Sequence, residues 1–156
     1  KRDFSEQDLL FGNVWILTLS RVYRNVLSAE HAPEHRYILN SDTFIVSRLG
    51  QYGSSKYHTD IKPAGYRRHK GGIWSMKSAE NKLDDRLNSF FWIYRYWKRA
   101  NNQEVAAVWL KKWSEVALIR MGWQNLYRAA IRNSSLMHYA RRIKAIIRRL
   151  QRRPPT

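Results

Sequence analysis

Cysteine is absent from this 156-residue sequence, which excludes disulfides, thiolate zinc sites and cysteine nucleophiles together. Acidic residues are scarce: twelve Asp and Glu stand against twenty-nine Lys and Arg, and none follows Glu115. Long apolar runs are missing too. The longest, Leu9–Leu19, is interrupted by Gly12 and Asn13 and falls far short of the roughly 20 residues that span a bilayer. Proline is confined to four positions, one of them Pro33 and two the pair Pro154-Pro155, so most of the chain is free to be helical.

What is present is aromatic and basic. Hydrophobic residues make up 44% of the chain, with seven Trp, nine Tyr and five Phe. That is enough to close a modest core and to argue against wholesale disorder. The net charge is +17, and self-repulsion on that scale favours a polyanionic partner. Arg outnumbers Lys 19 to 10. Arg makes planar, bidentate contacts to phosphate and stacks on bases, which favours RNA over generic solubilising charge.

The spacing predicts an all-α fold of about four to five helices in one small domain spanning residues 1–156. Ser5, followed by Glu6, Gln7 and Asp8, is a capping signal. Apolar residues at Leu10, Val14, Leu17, Tyr23 and Val26 then extend a helix over about 6–29, stopped by Pro33. Asn40-Ser41-Asp42 caps a short helix through Thr43–Leu49, with a strand at Phe44–Val46 as the alternative. A long irregular loop near 51–77 follows, rich in Gly, Tyr and basic residues. Leu83, Leu87, Phe90, Tyr94 and Trp97 mark a helix over about 79–100, and this spacing turns Tyr96 and Lys98 outward. Asn101-Asn102-Gln103-Glu104 is a break, and the spacing resumes from Val105 to Ala130. After Asn133-Ser134-Ser135, a basic amphipathic C-terminal helix and tail (134–156) carries the stripe Leu136, Tyr139, Ile143, Ile146 and Leu150.

Charge is segregated: the last 41 positions hold ten Lys or Arg and no acid. Arg128, Arg132, Arg141, Arg142, Lys144, Arg148, Arg149, Arg152 and Arg153 form one candidate RNA-binding surface, in which a helix docks its apolar face and presents cations to phosphates. A second candidate lies in the loop, where Lys56, Tyr57, Arg67, Arg68 and Lys70 interleave ring and cation as unpaired RNA requires. Trp92, Trp97, Trp109, Trp113 and Trp123 read mostly as core or protein-interface packing. Glu30, His31, Glu34 and His35 cluster, but Pro33 interrupts the helix that would align the histidines, and no third ligand stands at metal-binding spacing. Asp84 and Asp85 diverge on a helix, with Asp85 free to pair with basic neighbours. No catalytic constellation or dinucleotide fingerprint appears.

The expectation is a non-catalytic structural subunit, without cofactor or metal, that binds RNA within a large ribonucleoprotein. By analogy of composition this is a mitochondrial ribosome, with neighbouring proteins as further partners. The chain begins at Lys1 rather than methionine, which fits removal of a mitochondrial presequence or a trimmed chain. The rival reading is an accessory subunit of a mitochondrial membrane complex, respiratory or ATP synthase, whose basic helix lies on anionic lipid or an acidic partner. A nuclease is a distant third, since paired acidic metal ligands are missing.

Overall fold

Ser5 opens the first helix as its sequence predicts. In the computed structural model its hydroxyl accepts from the Asp8 backbone N–H at 3.1 Å, and the Asp8 carboxylate accepts from the Ser5 N–H. This reciprocal pair satisfies two otherwise orphaned donors. The structure describes residues 2–14, 16–27, 32–62, 64–65 and 71–132; for residue 73 and residues 123–132 it describes the backbone alone.

The described residues form five α-helices: α1 (Glu6–Leu10), α2 (Ser41–Leu49), α3 (Ile73–Met76), α4 (Ala79–Arg99) and α5 (Gln103–Arg132). Single 3-10 turns lie at Thr18–Ser20, Pro33–Tyr37 and Gly50–Tyr52. No strand occurs among the described residues, only one isolated bridge between Phe4 and Ser55. The all-α reading therefore holds, and Phe44–Val46 is helix rather than strand.

The helix expected over 6–29 ends at Leu10, and the reason is local. Gly12 adopts φ +62, where a side chain is disfavoured. Its N–H bonds the Leu9 carbonyl while the Asn13 N–H bonds the Asp8 carbonyl at 2.8 Å. These two bonds are the Schellman closure of a helix end. A Cβ at Gly12 would also fall on the Trp109 ring. Beyond it the chain runs extended with one 3-10 turn. It is tied to α2 where Arg21 Nη2 meets Asp42 Oδ1 at 2.9 Å and the Thr18 hydroxyl donates to Asp42 Oδ2.

The predicted break at 101–104 is present. Asn101 takes φ 59, a conformation Asn tolerates better than most residues. The Asn102 side chain accepts from the Val105 N–H and so starts α5. A three-residue connection forces α4 and α5 antiparallel. Their seam carries Phe90 against Trp109 (5.2 Å between centroids), Phe91 against Trp113 (6.3 Å) and the ion pair Arg120–Asp84 (2.8 Å).

Tyr96 does not point outward as the single-stripe reading requires; it is 1% exposed. α4 is buried on two sides, by α5 on one and by α2 on the other. Phe44 of α2 meets the Tyr96 ring edge-on at 5.0 Å, and the Arg48 guanidinium lies 5.4 Å from the same ring. A helix held between two layers buries a wider arc than one stripe. The second arc is disguised in the sequence because it includes Asp85 and Ser89. Lys98 is exposed, as expected.

The layers meet at one carbonyl. Leu10 O, at the end of α1, accepts from the Ser47 hydroxyl (2.7 Å) and from Trp109 Nε1–H (2.9 Å), while Trp97 Nε1–H donates to Ser47 Oγ (3.0 Å). Four helices thus converge on a buried polar chain inside the cluster of Ile38, Phe44, Ile93, Tyr96, Trp97, Val105, Ala106 and Trp109. Each buried donor is satisfied there, as a low-dielectric interior demands. The Asn40-Ser41-Asp42 start of α2 also works differently from a side-chain cap. Asn40 makes no such bond; its N–H donates to Ser89 Oγ, and the Leu39 N–H to Asn88 Oδ1.

Candidate nucleic-acid interface

The few carboxylates of this body act as staples. Asp3 pairs with Lys56, Asp42 with Arg21, Glu34 with Arg99, Asp84 with Arg120 and Asp85 with Lys77. Four of these pairs join a segment to the helical frame, α4 to α5 in the case of Asp84, and Asp3 ties the N-terminal segment to the loop. Arg99 grips Glu34 with both prongs, Nε to Oε1 at 2.7 Å and Nη2 to Oε2 at 3.0 Å, the geometry that makes Arg–carboxylate pairs strong. Burial pushes the Glu34 carboxyl up, but the Arg99 hydrogen bonds, with the nearby Arg95 charge, more than offset it and hold it below its ordinary 4.5. Asp3 is also held low, by the Tyr57 backbone N–H and by Lys56.

A pH dependence follows. A carboxyl with a folded pKa below its unfolded one contributes stability that is complete above the unfolded value and lost as pH falls through the folded value. The Glu34 contribution is therefore present at neutral pH and disappears below about pH 4.5. Glu34→Gln should cost about 1–2 kcal/mol at pH 7, discounted because Arg99 is half-exposed. The gap between the two melting-temperature profiles should close in acid. A gap that stays constant from pH 7 to pH 3 would contradict this assignment.

Of the residues singled out in the loop, Lys56 and Tyr57 are described. The bridge between Phe4 and Ser55, with Ser55 N–H donating to Phe4 O at 2.9 Å, lays residues 55–57 along residues 3–4. Lys56 Nζ is 3.1 Å from Asp3 Oδ2 and the Tyr57 N–H donates to Asp3 Oδ1 at 2.6 Å. The loop is therefore anchored at this point by the N-terminal segment, and it ends in the short helix α3. Arg67, Arg68 and Lys70 lie outside the described residues. So do Arg141, Arg142, Lys144, Arg148, Arg149, Arg152 and Arg153, with the helix expected to carry them.

Arg128 and Arg132 sit in the last turns of α5, four residues apart in continuous helix, a spacing that places both on one helix face. The pairs Phe91–Trp113 and Asp84–Arg120 set the register of the hairpin. In that register the start of α4 lies opposite the region just after Gly122. α5 therefore runs past its partner by roughly eight residues, about 12 Å at ~1.5 Å per residue.

One surface escapes a reading of the sequence alone. Asn88, Phe91, Trp92 and Arg95 follow the i, i+3, i+4, i+7 spacing that shares one face of α4. Tyr37, from the 3-10 turn, stacks on Trp92 with centroids 4.6 Å apart and planes 19° from parallel. Phe91 meets Trp92 edge-on at 5.5 Å. Tyr37 remains 55% exposed and Phe91 36%. Arg36 and Arg95 are exposed beside them and make no ion pair among the described residues. The spacing on α4 is legible in the sequence; that Tyr37, 55 residues earlier, covers Trp92 is not. On α5 a second exposed strip, Leu110, Leu118 and Met121, is apolar without flanking rings.

Among the described residues no three His, Asp or Glu side chains gather as a metal site, and no helix is long and apolar enough to cross a membrane. No protein-family model, curated protein sequence or solved structure matches the chain.

Proposed function

We propose that this chain is a non-catalytic, structural RNA-binding subunit of a large ribonucleoprotein, gripping the RNA backbone through Arg-rich surfaces and packing against neighbouring proteins. The observation that carries the reading is where the charge is left over. Five carboxylates of the folded body are each engaged by a cation within it. From residue 116 onward the sequence supplies ten Lys or Arg and no acid; the one of these whose side chain is described, Arg120, takes Asp84. So large a surplus of cations over acids favours an external polyanion, and the excess of Arg over Lys favours phosphate. The exposed Leu110, Leu118 and Met121 suit contact with a neighbouring protein. The assembly that fits this composition best is a mitochondrial ribosome, and localisation there belongs to the same proposal.

The test is thermal unfolding with and without RNA, alongside sedimentation before and after ribonuclease. RNA held at about 100 times its Kd stabilises the folded state by ~2.7 kcal/mol. For a chain of this size that is a rise in Tm of roughly 5–10 °C. The protein should sediment with RNA and be released by ribonuclease. Unchanged Tm across several RNAs, together with binding to anionic vesicles, would replace the RNA reading with that of a membrane-complex subunit.

A further inference from the structure

Tyr37 is held from behind and open in front. Its ring lies nearly parallel on Trp92 at 4.6 Å, yet 55% of the residue remains exposed. Trp92 is itself braced at its edge by Phe91, which leans on Trp113 of α5. The ring is therefore fixed in orientation at little further entropic cost on binding. We propose that this face of α4 is a stacking platform for an unpaired nucleobase, so that the chain takes single-stranded or looped RNA here as well as backbone elsewhere. This rests on the RNA-binding reading above and adds to it a place and a conformation of the RNA.

Charge decides between a base and a protein side chain as the occupant. Arg36 adjoins Tyr37 in sequence, and Arg95 lies one turn beyond Trp92. Both are exposed and make no ion pair among the described residues. Of the four carboxylates on these elements, Glu34 is engaged by Arg99, Asp84, one turn before Asn88, by Arg120 and Asp85 by Lys77, while Glu80 lies more than two turns before Asn88. The patch is thus aromatic and cationic with its nearest acids, Glu34 and Asp84, neutralised, the combination that binds a base by its face and its phosphates by charge. Asn88 adds an amide whose oxygen is taken by the Leu39 N–H and whose two N–H donors, without a partner among the described residues, suit a base edge. A paired base has both faces covered within the duplex, so only an unpaired or splayed one can lie on Tyr37.

The experiment compares Tyr37→Ala and Tyr37→Phe with the wild-type protein, each titrated with a short oligouridine and with an RNA duplex of equal length at one salt concentration. Tyr37→Ala should weaken oligouridine binding roughly tenfold, within the range of ~1–3 kcal/mol per stacked base. It should leave duplex affinity and the salt slope alone, while Tyr37→Phe, which keeps the ring, should bind as wild type. Because Tyr37 is more than half exposed, both variants should retain the wild-type circular-dichroism spectrum. Equal loss on both RNAs would make Tyr37 a general contact and overturn the platform. Unchanged oligouridine affinity in Tyr37→Ala would also overturn it, assigning the patch to a protein neighbour while leaving RNA binding elsewhere intact. A wild-type protein that bound neither RNA would remove the platform and the broader reading together.

Discussion

Replacing Arg141, Arg142, Arg148 and Arg149 with glutamine should leave the protein folded and cut its affinity for RNA by about a hundredfold at 0.15 M salt. The magnitude comes from counterion release. Each phosphate of single-stranded RNA that no longer meets a cation lowers the slope of log K against log salt by about 0.7, so four phosphates account for roughly 3 units. With the 1 M intercept unchanged, that slope difference amounts to about two powers of ten at 0.15 M. Helix propensity hardly distinguishes Arg from Gln, so the helical content of the chain should survive. Sequence preference should stay as it was, because backbone contacts position without specifying. A correctly folded variant with an unchanged salt slope would move the site to Lys56, Arg67, Arg68 and Lys70. If the rival membrane reading is right, the same variant loses anionic vesicles instead, and the wild-type protein binds RNA weakly from the start.

The largest effect on stability should come from Trp109. Its side chain is fully buried, meets Phe90 at 5.2 Å and donates to the Leu10 carbonyl. Trp109→Ala should cost about 3–5 kcal/mol, a fall in Tm of roughly 10–15 °C. Trp109→Phe should cost far less, on the order of 1 kcal/mol, because the Leu10 carbonyl would keep the Ser47 hydroxyl as a donor. The converse holds for Ser47→Ala. It leaves Trp97 Nε1–H, for which Ser47 Oγ is the acceptor, buried without a partner, at about 1–3 kcal/mol. Combining Ser47→Ala with Trp109→Phe strips Leu10 of both donors, so the double variant should lose more than the sum of the two. Strict additivity would show that the shared carbonyl does not couple them.

The helices legible in the sequence are those whose period and boundaries come from neighbouring residues. α4 and α5 are readable to within a residue or two at the 101–104 break because Asn101 and Asn102 interrupt an otherwise unbroken 3/4 spacing. The 6–29 helix fails because that spacing is carried through Gly12-Asn13, a helix-ending pair whose left-handed turn outweighs a few apolar coincidences at Val14, Leu17 and Tyr23. Tyr96 fails for another reason: whether a helix is covered on one side or two depends on α2, brought in from about fifty residues away. The same limit applies to the candidate interface. The charge asymmetry is visible in composition, and Asp85 does pair with a basic residue, but with Lys77 ahead of α4 rather than with one a turn away on the helix. That Asp3 takes Lys56, or that Tyr37 lies on Trp92, depends on chain crossings that no local pattern encodes.

The junction at Leu10 also sets an order of events in time. Its carbonyl waits for Trp109, 99 residues later in the chain, whereas α4 and α5 meet across a connection of three residues. Segments close in sequence associate first, because little chain entropy is given up in bringing them together. In refolding, amide protection should therefore appear in the α4–α5 hairpin before it appears in α1, and pulse-labelled hydrogen exchange would reveal the reverse order if it occurred. During synthesis at about 5–20 residues per second, the Leu9–Leu19 stretch would wait roughly 5–20 s for the indole that secures it. The segment made early is among the last to be placed, and in that interval its apolar residues are open to a chaperone or to another unfinished copy of the chain.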